Sequence, residues 1–335
     1  MIVVTGATGL LGGHLLLELI TSDEKIRALI RPGSNPEKVL SVWRYCHPEP
    51  AKLLDKIEWV EADLIDQSHL EELIGKNDRV YHCAGVVSFN RRDMEAVYDT
   101  NVRATSLLVN TALKNEVAKL VHVSSIATIG TEGNGELQDE NMPVPAPAKK
   151  SYGSSKVLGE LEVWRGIAEG LNAVIVNPSV ILGAGNWQQS SARIFDTIFR
   201  GLSYFTRGTT GYVDVMDVAR IMVMLMKSDI SGERYILNAD NVSFEYLFNK
   251  IAEALGVNAP AKYASKWMTQ AGFRFEGIRT AITGKEPRLT RQTSKSAHAR
   301  KQYTAEKVRS ALNVGFTPIE ETINRVAGNY LENIR

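Results

Sequence analysis

Tyr152 and Lys156 lie four positions apart in the stretch SYGSSK, and their types and spacing suggest proton-transfer chemistry. In a helix, residues at i and i+4 share one face, a turn apart. A lysine ammonium beside a phenol favours the phenolate, so it would lower a tyrosine pKa that is otherwise about 10. Such a tyrosine would exchange a proton with a carbonyl or an alcohol near neutral pH. Because this spacing also arises by chance in many chains, the catalytic interpretation needs support from other motifs.

The glycine-rich stretch VVTGATGLLGGHL is a second motif with chemical meaning. It places Gly6, Gly9 and Gly12 between a first apolar strand and a first helix. Glycines there let the backbone approach a pyrophosphate, and the helix N-terminus supplies free N–H groups and a positive dipole end. In this context the triplet predicts a dinucleotide site rather than only a tight strand–helix turn.

The residue after the second predicted strand bears on which nicotinamide cofactor is used. An NAD site has an Asp or Glu there, which accepts hydrogen bonds from the ribose hydroxyls. This chain has Arg31 instead, and no acid follows until Glu37. Since an arginine fork binds phosphate bidentately, we predict a preference for NADP(H), with NAD(H) as the alternative. The competing interpretation of Arg31 is a solvated arginine at a strand end.

A scaffold of alternating strands and helices would position these residues. Short β-branched runs predict buried strands at 2–5, 26–30, 57–60, 79–83, 120–124, 173–177 and 234–238. Amphipathic patterns predict helices at 10–20, 67–75, 94–115, 154–170, 192–205 and 218–227. The alternation specifies a parallel sheet covered by helices on both faces. We therefore predict an α/β fold, a doubly wound parallel Rossmann sheet of about seven strands with a smaller, mostly helical C-terminal lobe.

Two breaks in this alternation set the predicted domain boundaries. Residues 1–182 plus 213–238 are expected to form an NAD(P)-binding Rossmann domain. Residues 183–212 plus 239–335, which are irregular or helical, are expected to form a substrate-binding lobe. The Pro/Gly/acid-rich segment 131–150 predicts a surface loop that leads into the tyrosine helix.

The composition excludes several classes of function. The chain has 335 residues, 44% of them apolar and 23% charged, as in ordinary globular proteins. A net charge of +1 gives no field that would attract nucleic acid or an anionic membrane. The N-terminus does not have the pattern of a signal peptide, and no apolar run reaches the roughly 20 residues of a membrane span. Two cysteines and six scattered histidines show no metal-ligand spacing. We expect a cytoplasmic protein without a metal.

Together these motifs resemble the extended short-chain dehydrogenase/reductase family, in the NAD-dependent epimerase/dehydratase superfamily, over nearly the whole chain. The matching motifs are the glycine triplet, Asp63–Leu64, CAG at 83–85, Asn101 in TNVRAT, VHVSS at 121–125, the Tyr152/Lys156 pair, NPSVILG at 177–183, YVDVMDVAR at 212–220 and the segment 303–323. Within the family, LIRPGS, VHVSSIAT and VNPSVILG look most like the dihydroflavonol reductase, cinnamoyl-CoA reductase and 3β-hydroxysteroid dehydrogenase branch.

The resemblance implies a role for each matching residue. Ser125 would polarise the substrate carbonyl, with Ser124 the less favoured candidate, while Tyr152 would supply the proton and the nicotinamide a hydride. Lys156 would hold the nicotinamide ribose and tune the tyrosine, and Asn101 would lie in the proton relay or its scaffold. The predicted catalytic residues are therefore Ser125, Tyr152, Lys156 and Asn101. The predicted cofactor-binding residues are Gly6, Thr8, Gly9, Leu10, Leu11, Gly12, Arg31, Asp63 (facing the adenine), Leu64, Cys83, Ala84, Gly85, Val123, Tyr152, Lys156, Asn177, Pro178 and Val180.

Three functions share this framework. The first is an NADPH-dependent reductase of an aldehyde or ketone, similar to dihydroflavonol reductases. The second is a nucleotide-sugar epimerase or dehydratase with tightly bound NAD, which usually carries the acid that Arg31 replaces. The third is a non-catalytic NAD(P)-binding regulatory protein, which would have no need of the Ser125/Tyr152/Lys156 set. We predict the first, with a monomer or a homodimer as the assembly.

The aromatic residues of the second lobe favour an apolar or aromatic carbonyl substrate. They are Trp187, Phe195, Phe199, Tyr204, Phe205, Trp267, Phe273 and Phe275. The competing interpretation is that these residues form the lobe's core. Arg193, Arg200 and Arg207 would suit a diphosphate instead. The basic run at 285–301 (Lys285, Arg288, Arg291, Lys295, Arg300 and Lys301, opposed by Glu286) leaves room for a CoA-linked substrate.

Overall fold

Seven parallel strands form the central sheet of the computed structural model, which describes residues 1–131, 136–147, 150–272, 276 and 291–334. In chain-order numbering, these strands are β1 Ile2–Thr5, β2 Ile26–Ile30, β3 Ile57–Glu61, β4 Arg79–His82, β5 Lys119–Val123, β7 Ala173–Pro178 and β11 Glu233–Leu237. Their spatial order is β11-β7-β5-β4-β1-β2-β3. Every neighbouring pair is parallel, and the order reverses between β1 and β4.

Helices cover both faces of this sheet, and two hydrophobic clusters result. One cluster joins the sheet to α1 Leu10–Leu19 and α8 Val215–Lys227. The other joins it to α3 Gln67–Leu73, α5 Ala104–Lys114 and α6 Tyr152–Ala168. The predicted fold class and the predicted strands are confirmed, each strand to within one or two residues. Within the described residues, no helix has the combination of length and apolar character that a membrane span requires.

The remaining strands and helices are short or lie in the C-terminal part. The strands are β6 Leu137–Gln138, β8 Val180–Leu182, β9 Tyr204–Phe205, β10 Thr209–Asp214, β12 Asp240–Ser243, β13 Lys262–Tyr263 and β14 Gln302–Tyr303. The helices are α2 Leu40–Trp43, α4 Met94–Tyr98, α7 Arg193–Phe199, α9 Phe244–Leu255, α10 Arg291–Ser296, α11 Glu306–Leu312 and α12 Ile319–Ile334, and residues 266–272 are also helical. Strands β8, β10 and β12 form a second sheet.

A separate hydrophobic cluster lies in the C-terminal part of the chain. It packs α7, α9 and α12 together, with Leu182 and Tyr212 from the second sheet. The aromatics Trp187 and Phe195 are 6% and 0% exposed inside this cluster. Their predicted role as a substrate surface is therefore wrong, because packing three helices together requires large apolar side chains between them. The division into two domains stays a prediction.

Two loop predictions also need correction. The helix predicted at 192–205 ends at Phe199, because Gly201 adopts φ 92° and the chain then enters β9. The segment 131–150, predicted as a surface loop, contains β6, which pairs with β14. Phe273, Phe275, Lys285, Glu286 and Arg288 lie outside the described residues.

A π-helical turn interrupts the long helix predicted at 94–115. It spans Asp99–Arg103, between α4 and α5, and contains the buried Asn101. Helix α6 packs directly on this turn at Gly159, where an added Cβ would overlap the carbonyl oxygen of Asn101. Glycine is therefore required for the close approach of α6 to the turn that carries a predicted catalytic residue. Turns of this kind occur often at functional sites.

Gly159→Ala is expected to destabilise the fold by about 1–3 kcal/mol, the usual cost of overpacking a well-packed contact. Gly328→Ala is the matched control, since Gly328 lies in α12 with open space around its Cα. That change should raise the free energy of unfolding by about 0.5–1 kcal/mol through helix propensity alone. Urea denaturation of both variants measures the difference, and equal effects of the two substitutions would contradict the packing argument.

Candidate active site

The carboxyl ends of the central strands bring the predicted site residues to one edge of the sheet. The glycine triplet follows β1, Arg31 follows β2, and Asp63 and Leu64 follow β3. Residues 83–85 follow β4, Val123 ends β5, and Asn177 and Pro178 end β7. In doubly wound sheets, ligands bind at this edge near the point where the strand order reverses. Here that point lies between β1 and β4.

The glycine turn between β1 and α1 has the geometry of a pyrophosphate cradle. Gly6 adopts φ 67°, and a Cβ there would lie 2.6 Å from the backbone nitrogen of Ala84. A Cβ on Gly12 would overlap the Gly6 carbonyl oxygen. Gly9 caps α1 without a side-chain hydrogen bond, so backbone N–H groups of the first turn, at Leu10 and Leu11, lack a side-chain cap. These residues fit a dinucleotide phosphate.

The residues predicted to hold the adenosine end are accessible. Arg31 and Asp63 are both exposed. The Arg31 carbonyl accepts a hydrogen bond from Ser34 N at 2.9 Å, which turns the chain after β2. Asp63 Oδ1 accepts from Ile65 N at 3.1 Å, which holds its carboxylate at the end of β3. The Asp63 carboxylate and the Arg31 backbone are therefore held at the sheet edge where the adenosine is expected.

Tyr152 is the first residue of α6, and its phenol lies close to Ser125. The helix starts there because Ser151 caps it, accepting a hydrogen bond from Ser154 N at 3.2 Å. The Tyr152 phenol lies near the Ser125 hydroxyl, which acts to lower the pKa of Tyr152. Ser125 follows β5, and its hydroxyl also accepts from Ala127 N at 3.1 Å. The structure thus brings two of the predicted catalytic residues close together.

The pKa of Tyr152 shifts opposite to the sequence-based expectation. Burial raises it above its ordinary value, and the nearby Ser125 hydroxyl opposes this only in part. The expected lowering by Lys156 is wrong, because desolvation of the phenolate dominates and Lys156 is not among the causes of the shift. Near neutral pH, Tyr152 is therefore a protonated phenol, which is the form that donates a proton.

Lys156 lies one turn after Tyr152 and is 6% exposed. Its Nζ donates a hydrogen bond to the Val123 carbonyl at 2.8 Å. Burial lowers the pKa of Lys156 to about 8, while the carboxylate of Glu160 opposes that shift. The ammonium form therefore predominates at neutral pH but is lost as the pH rises through about 8. An ammonium has three donors, so others besides the one used on Val123 can serve a ribose.

Asn101 is buried in the π turn, where its side chain makes three hydrogen bonds. Its Oδ1 accepts from Val86 N at 2.8 Å, and its Nδ2 donates to Val86 O at 2.9 Å. The same Nδ2 donates to Ser155 Oγ at 3.0 Å. Asn101 therefore joins residues 83–86, the strip after β4, to the first turn of α6. This arrangement matches a scaffold role for the residue.

Asn177, predicted to contact the cofactor, directs its amide into the protein. Its Nδ2 donates to Glu160 Oε2 at 2.7 Å and to Thr128 Oγ1 at 2.9 Å, and it approaches the Ser125 carbonyl at 3.3 Å. Pro178 is buried at the end of β7 and Val180 begins β8, half-buried. The amide group of Asn177 thus holds the turn that carries Ser125, through Thr128 and the Ser125 carbonyl.

A buried carboxylate behind the site was missed by the sequence reasoning. Glu160 is 2% exposed and accepts hydrogen bonds from the hydroxyls of Ser124 and Thr128. It forms an ion pair with Arg234 at 3.2 Å, and Arg234 also donates to the Glu140 carbonyl. The signal in the sequence was the spacing, since Glu160 is four residues after Lys156 on the same face of α6.

The fold and this site define a class: a Rossmann enzyme whose residues suit a nicotinamide dinucleotide and proton transfer. Residues 2–238 match the model of the NAD dependent epimerase/dehydratase family. This match covers more than half of the chain, so the protein belongs to that family. It is an NAD(P)-dependent enzyme that acts on carbonyl or alcohol groups, as its relatives do.

The relatives include reductases of small molecules. The chain is 27% identical to a putative dihydroflavonol 4-reductase of Synechocystis sp., over 96% of this chain and 91% of the relative. It is 26% identical to cinnamoyl-CoA reductase 2 of Arabidopsis thaliana, over 71% and 72% of the two chains. Among solved structures, the crystal structure of gox2253 is 26% identical, with a TM-score of 0.82, and covers 99% and 98% of the two chains.

Glu160→Gln should destabilise the fold by about 3 kcal/mol, because it leaves the Arg234 guanidinium buried without its counter-ion. Glu162→Gln is the matched control on the same helix, since Glu162 is 29% exposed and pairs with the partly exposed Arg165. Its effect should stay below about 1 kcal/mol. Denaturant unfolding measures both. A Glu160→Gln protein as stable as the control would show that the ion pair is not needed.

Proposed function

We propose that the protein is an NADPH-dependent reductase of an aldehyde or a ketone. The observation that carries the proposal is the proximity of Tyr152 and Ser125 at the carboxyl edge of the sheet. Lys156 follows on the same helix face, and the glycine cradle lies at the end of β1. A proton donor, an oxygen-polarising hydroxyl and a dinucleotide site are the parts that carbonyl reduction needs.

The chain's own residues have separate tasks in this reaction. A nicotinamide cofactor held by the glycine cradle would supply the hydride when bound. The Tyr152 hydroxyl supplies the proton to the substrate oxygen, and burial keeps it protonated until then. The Ser125 hydroxyl hydrogen-bonds the same oxygen as negative charge develops there. Lys156 would hold the ribose with the ammonium donors not used on Val123.

The surroundings of Tyr152 favour an apolar or aromatic substrate over a nucleotide sugar. The Phe89 ring packs edge-to-face on Tyr152, with centroids 5.5 Å apart. Phe89 and Val87, both on the segment after β4, are 36% and 66% exposed. Phe89 thus offers an apolar surface beside the proton donor, and the exposed Val87 lies two residues before it in the chain.

Two of the arginines that would suit a diphosphate already have acidic partners. Arg200 pairs with Asp196 at 2.9 Å, and Arg207 lies 3.5 Å from Glu245. Arg207 also stacks over the Tyr263 ring. A sugar nucleotide would have to share these two guanidinium groups with their present partners. This supports a reductase over a nucleotide-sugar epimerase, which stays the alternative within the family.

Tyr152→Phe should lower turnover by roughly 10²- to 10⁴-fold, the usual effect of losing an acid–base group, while NADPH binding stays largely intact. Tyr212→Phe is the control, since the buried Tyr212 hydroxyl has no hydrogen-bond partner in the part of the chain that the structure describes. NADPH oxidation over a panel of aldehydes and ketones measures turnover. If Tyr152→Phe reduced the best substrate as fast as the unchanged protein, with chemistry limiting the rate, the assignment would be lost.

Arg31 should make the protein bind NADPH more tightly than NADH. A charge-assisted contact to the 2′-phosphate corresponds to roughly ten- to a hundredfold in affinity. Arg31→Ala should remove most of this preference, whereas Arg44→Ala, at an exposed arginine on the end of α2, should keep it. Calorimetric dissociation constants for both cofactors decide the matter. Equal affinities in the unchanged protein would rule out the role of Arg31.

Phe89→Ala should raise the KM for aromatic carbonyl substrates by roughly two- to tenfold, the worth of one aromatic contact. Tyr246→Ala, at an exposed aromatic on α9 that bonds Glu320, is the control and should leave KM unchanged. Ligand titrations of the NADP-loaded protein complete the test. Tight binding of a UDP-, GDP- or dTDP-sugar with no binding of aromatic aldehydes or ketones would favour the epimerase instead.

A further inference from the structure

His82, the last residue of β4, lies between two threonine hydroxyls in the core. Its Nδ1 is 2.8 Å from Thr5 Oγ1, and its Nε2 is 3.0 Å from Thr105 Oγ1. The ring is completely buried. Thr5 Oγ1 also accepts a hydrogen bond from Ala84 N at 3.2 Å, and Thr105 Oγ1 donates to the Asn101 carbonyl at 3.0 Å. Five groups thus form one unbroken chain.

The number of protons on each group determines which atom donates and which accepts in each of these hydrogen bonds. The Thr105 hydroxyl has a single proton, which it gives to the Asn101 carbonyl, so it accepts from His82. His82 therefore carries its proton on Nε2. Its bare Nδ1 then accepts from the Thr5 hydroxyl, which in turn accepts from Ala84 N–H. The opposite tautomer would leave the Thr5 proton without an acceptor. Burial lowers the pKa of His82 to about 3, so the ring is neutral.

This row of hydrogen bonds connects two predicted parts of the active site. Ala84 belongs to the strip after β4 that is predicted to face the cofactor. At the other end, Asn101 holds Val86 of the same strip through its side chain. Asn101 Nδ2 also donates to Ser155, whose hydroxyl donates to the Tyr152 carbonyl at 2.7 Å. The orientation of Asn101 therefore affects both the strip after β4 and the first turn of α6.

We propose that His82, held as the Nε2–H tautomer between Thr5 and Thr105, is a positioning residue that fixes the Asn101 turn. Through that turn it fixes the position of the strip after β4, here called the cofactor strip, and of the backbone that carries Tyr152. His82 touches neither substrate nor reacting atoms. The expected kinetic consequence rests on the proposed reductase function, whereas the tautomer and the order of the strip are properties of the folded chain alone.

The neighbouring histidine shows that this arrangement is not a general consequence of burial. His122 is in register with His82 on β5, and the two rings lie 5.1 Å apart. His122 is equally buried, yet neither of its ring nitrogens has a hydrogen-bond partner among the described residues. Of these two rings on one face of the sheet, only that of His82 is tied to the active-site segments.

Thr105→Val is the decisive variant, because it removes the hydroxyl while keeping the side-chain shape. Nitrogen-15 NMR of labelled protein should find His82 as the Nε2–H tautomer in the unchanged protein. In Thr105→Val the Nε2 proton loses its acceptor while Nδ1 still accepts from Thr5, so the Nε2–H signals should shift to those of a ring N–H without a hydrogen bond. Thr105→Ser keeps the hydroxyl and should keep the original signals. Thr111→Val is the matched control on the same helix, since no described residue bonds the buried Thr111 hydroxyl.

Amide hydrogen exchange then tests positioning without any substrate. Exchange at Val86 should be about two- to tenfold faster in Thr105→Val, the factor for losing one neutral hydrogen bond, and unchanged in Thr111→Val and Thr105→Ser. If Thr105→Val does not fold, His82→Gln, which keeps one N–H donor, is compared with His82→Leu, which has none. Faster exchange at Val86 in His82→Leu than in His82→Gln would support the proposal.

The kinetic measurement uses the same variants with the best carbonyl substrate. Thr105→Val should lower kcat and raise the KM for NADPH, and Thr105→Ser should restore both. An Nδ1–H tautomer in the unchanged protein would overturn the proposal, and so would Val86 exchange and kinetics identical in Thr105→Val and Thr111→Val. Absence of carbonyl reduction by the unchanged protein would instead count against the proposed function, leaving the tautomer and exchange results to decide the positioning role.

Discussion

The carboxylate of Glu160 lies one helical turn below Lys156, inside the protein, and the active site depends on keeping its charge satisfied. Hydrogen bonds reach it from Ser124 and Thr128 beside the Ser125 turn and from Asn177 on β7. The guanidinium of Arg234 on β11 neutralises it. A buried ion is tolerated only with its full set of partners, so these elements cannot shift independently. The turn that carries Ser125 and the helix that carries Tyr152 thereby share one fixed support.

Burial, more than direct charge–charge contact, determines the protonation of the groups above this support. It raises the pKa of Tyr152 and lowers that of Lys156 to about 8, so desolvation acts on the two in opposite directions. A neutral phenol and a charged ammonium therefore coexist near neutral pH. That pair suits a site that delivers a proton to a substrate oxygen. Glu160 contributes as well, because its negative charge stabilises the ammonium form of Lys156.

The sequence allowed a close prediction of the sheet but only part of the site. Continuous β-branched runs mark strands buried on both faces, so the parallel strands were found to within one or two residues. The proximity of Tyr152 and Ser125 could be expected only through family resemblance, since no local pattern joins β5 to α6. The partner of Glu160 lies 74 residues away, and spacing cannot indicate it. Trp187 and Phe195 were misassigned because composition does not tell which side chains face inward, as these two do.

The boundary between scaffold and site is visible along the strands themselves. On the face covered by α5 and α6, Val3, Val80 and Leu120 form an apolar layer. Two residues further along, the same strands place Thr5, His82 and His122, which are register partners. The sheet therefore changes from apolar to polar just where the cofactor strip begins. Polar groups this deep are costly unless paired, and His82 is paired with Thr5 through Nδ1 and with Thr105 through Nε2. The folding core and the proposed catalytic site are in this way built from consecutive residues of the same strands, so the geometry of the site follows directly from the packing of the sheet.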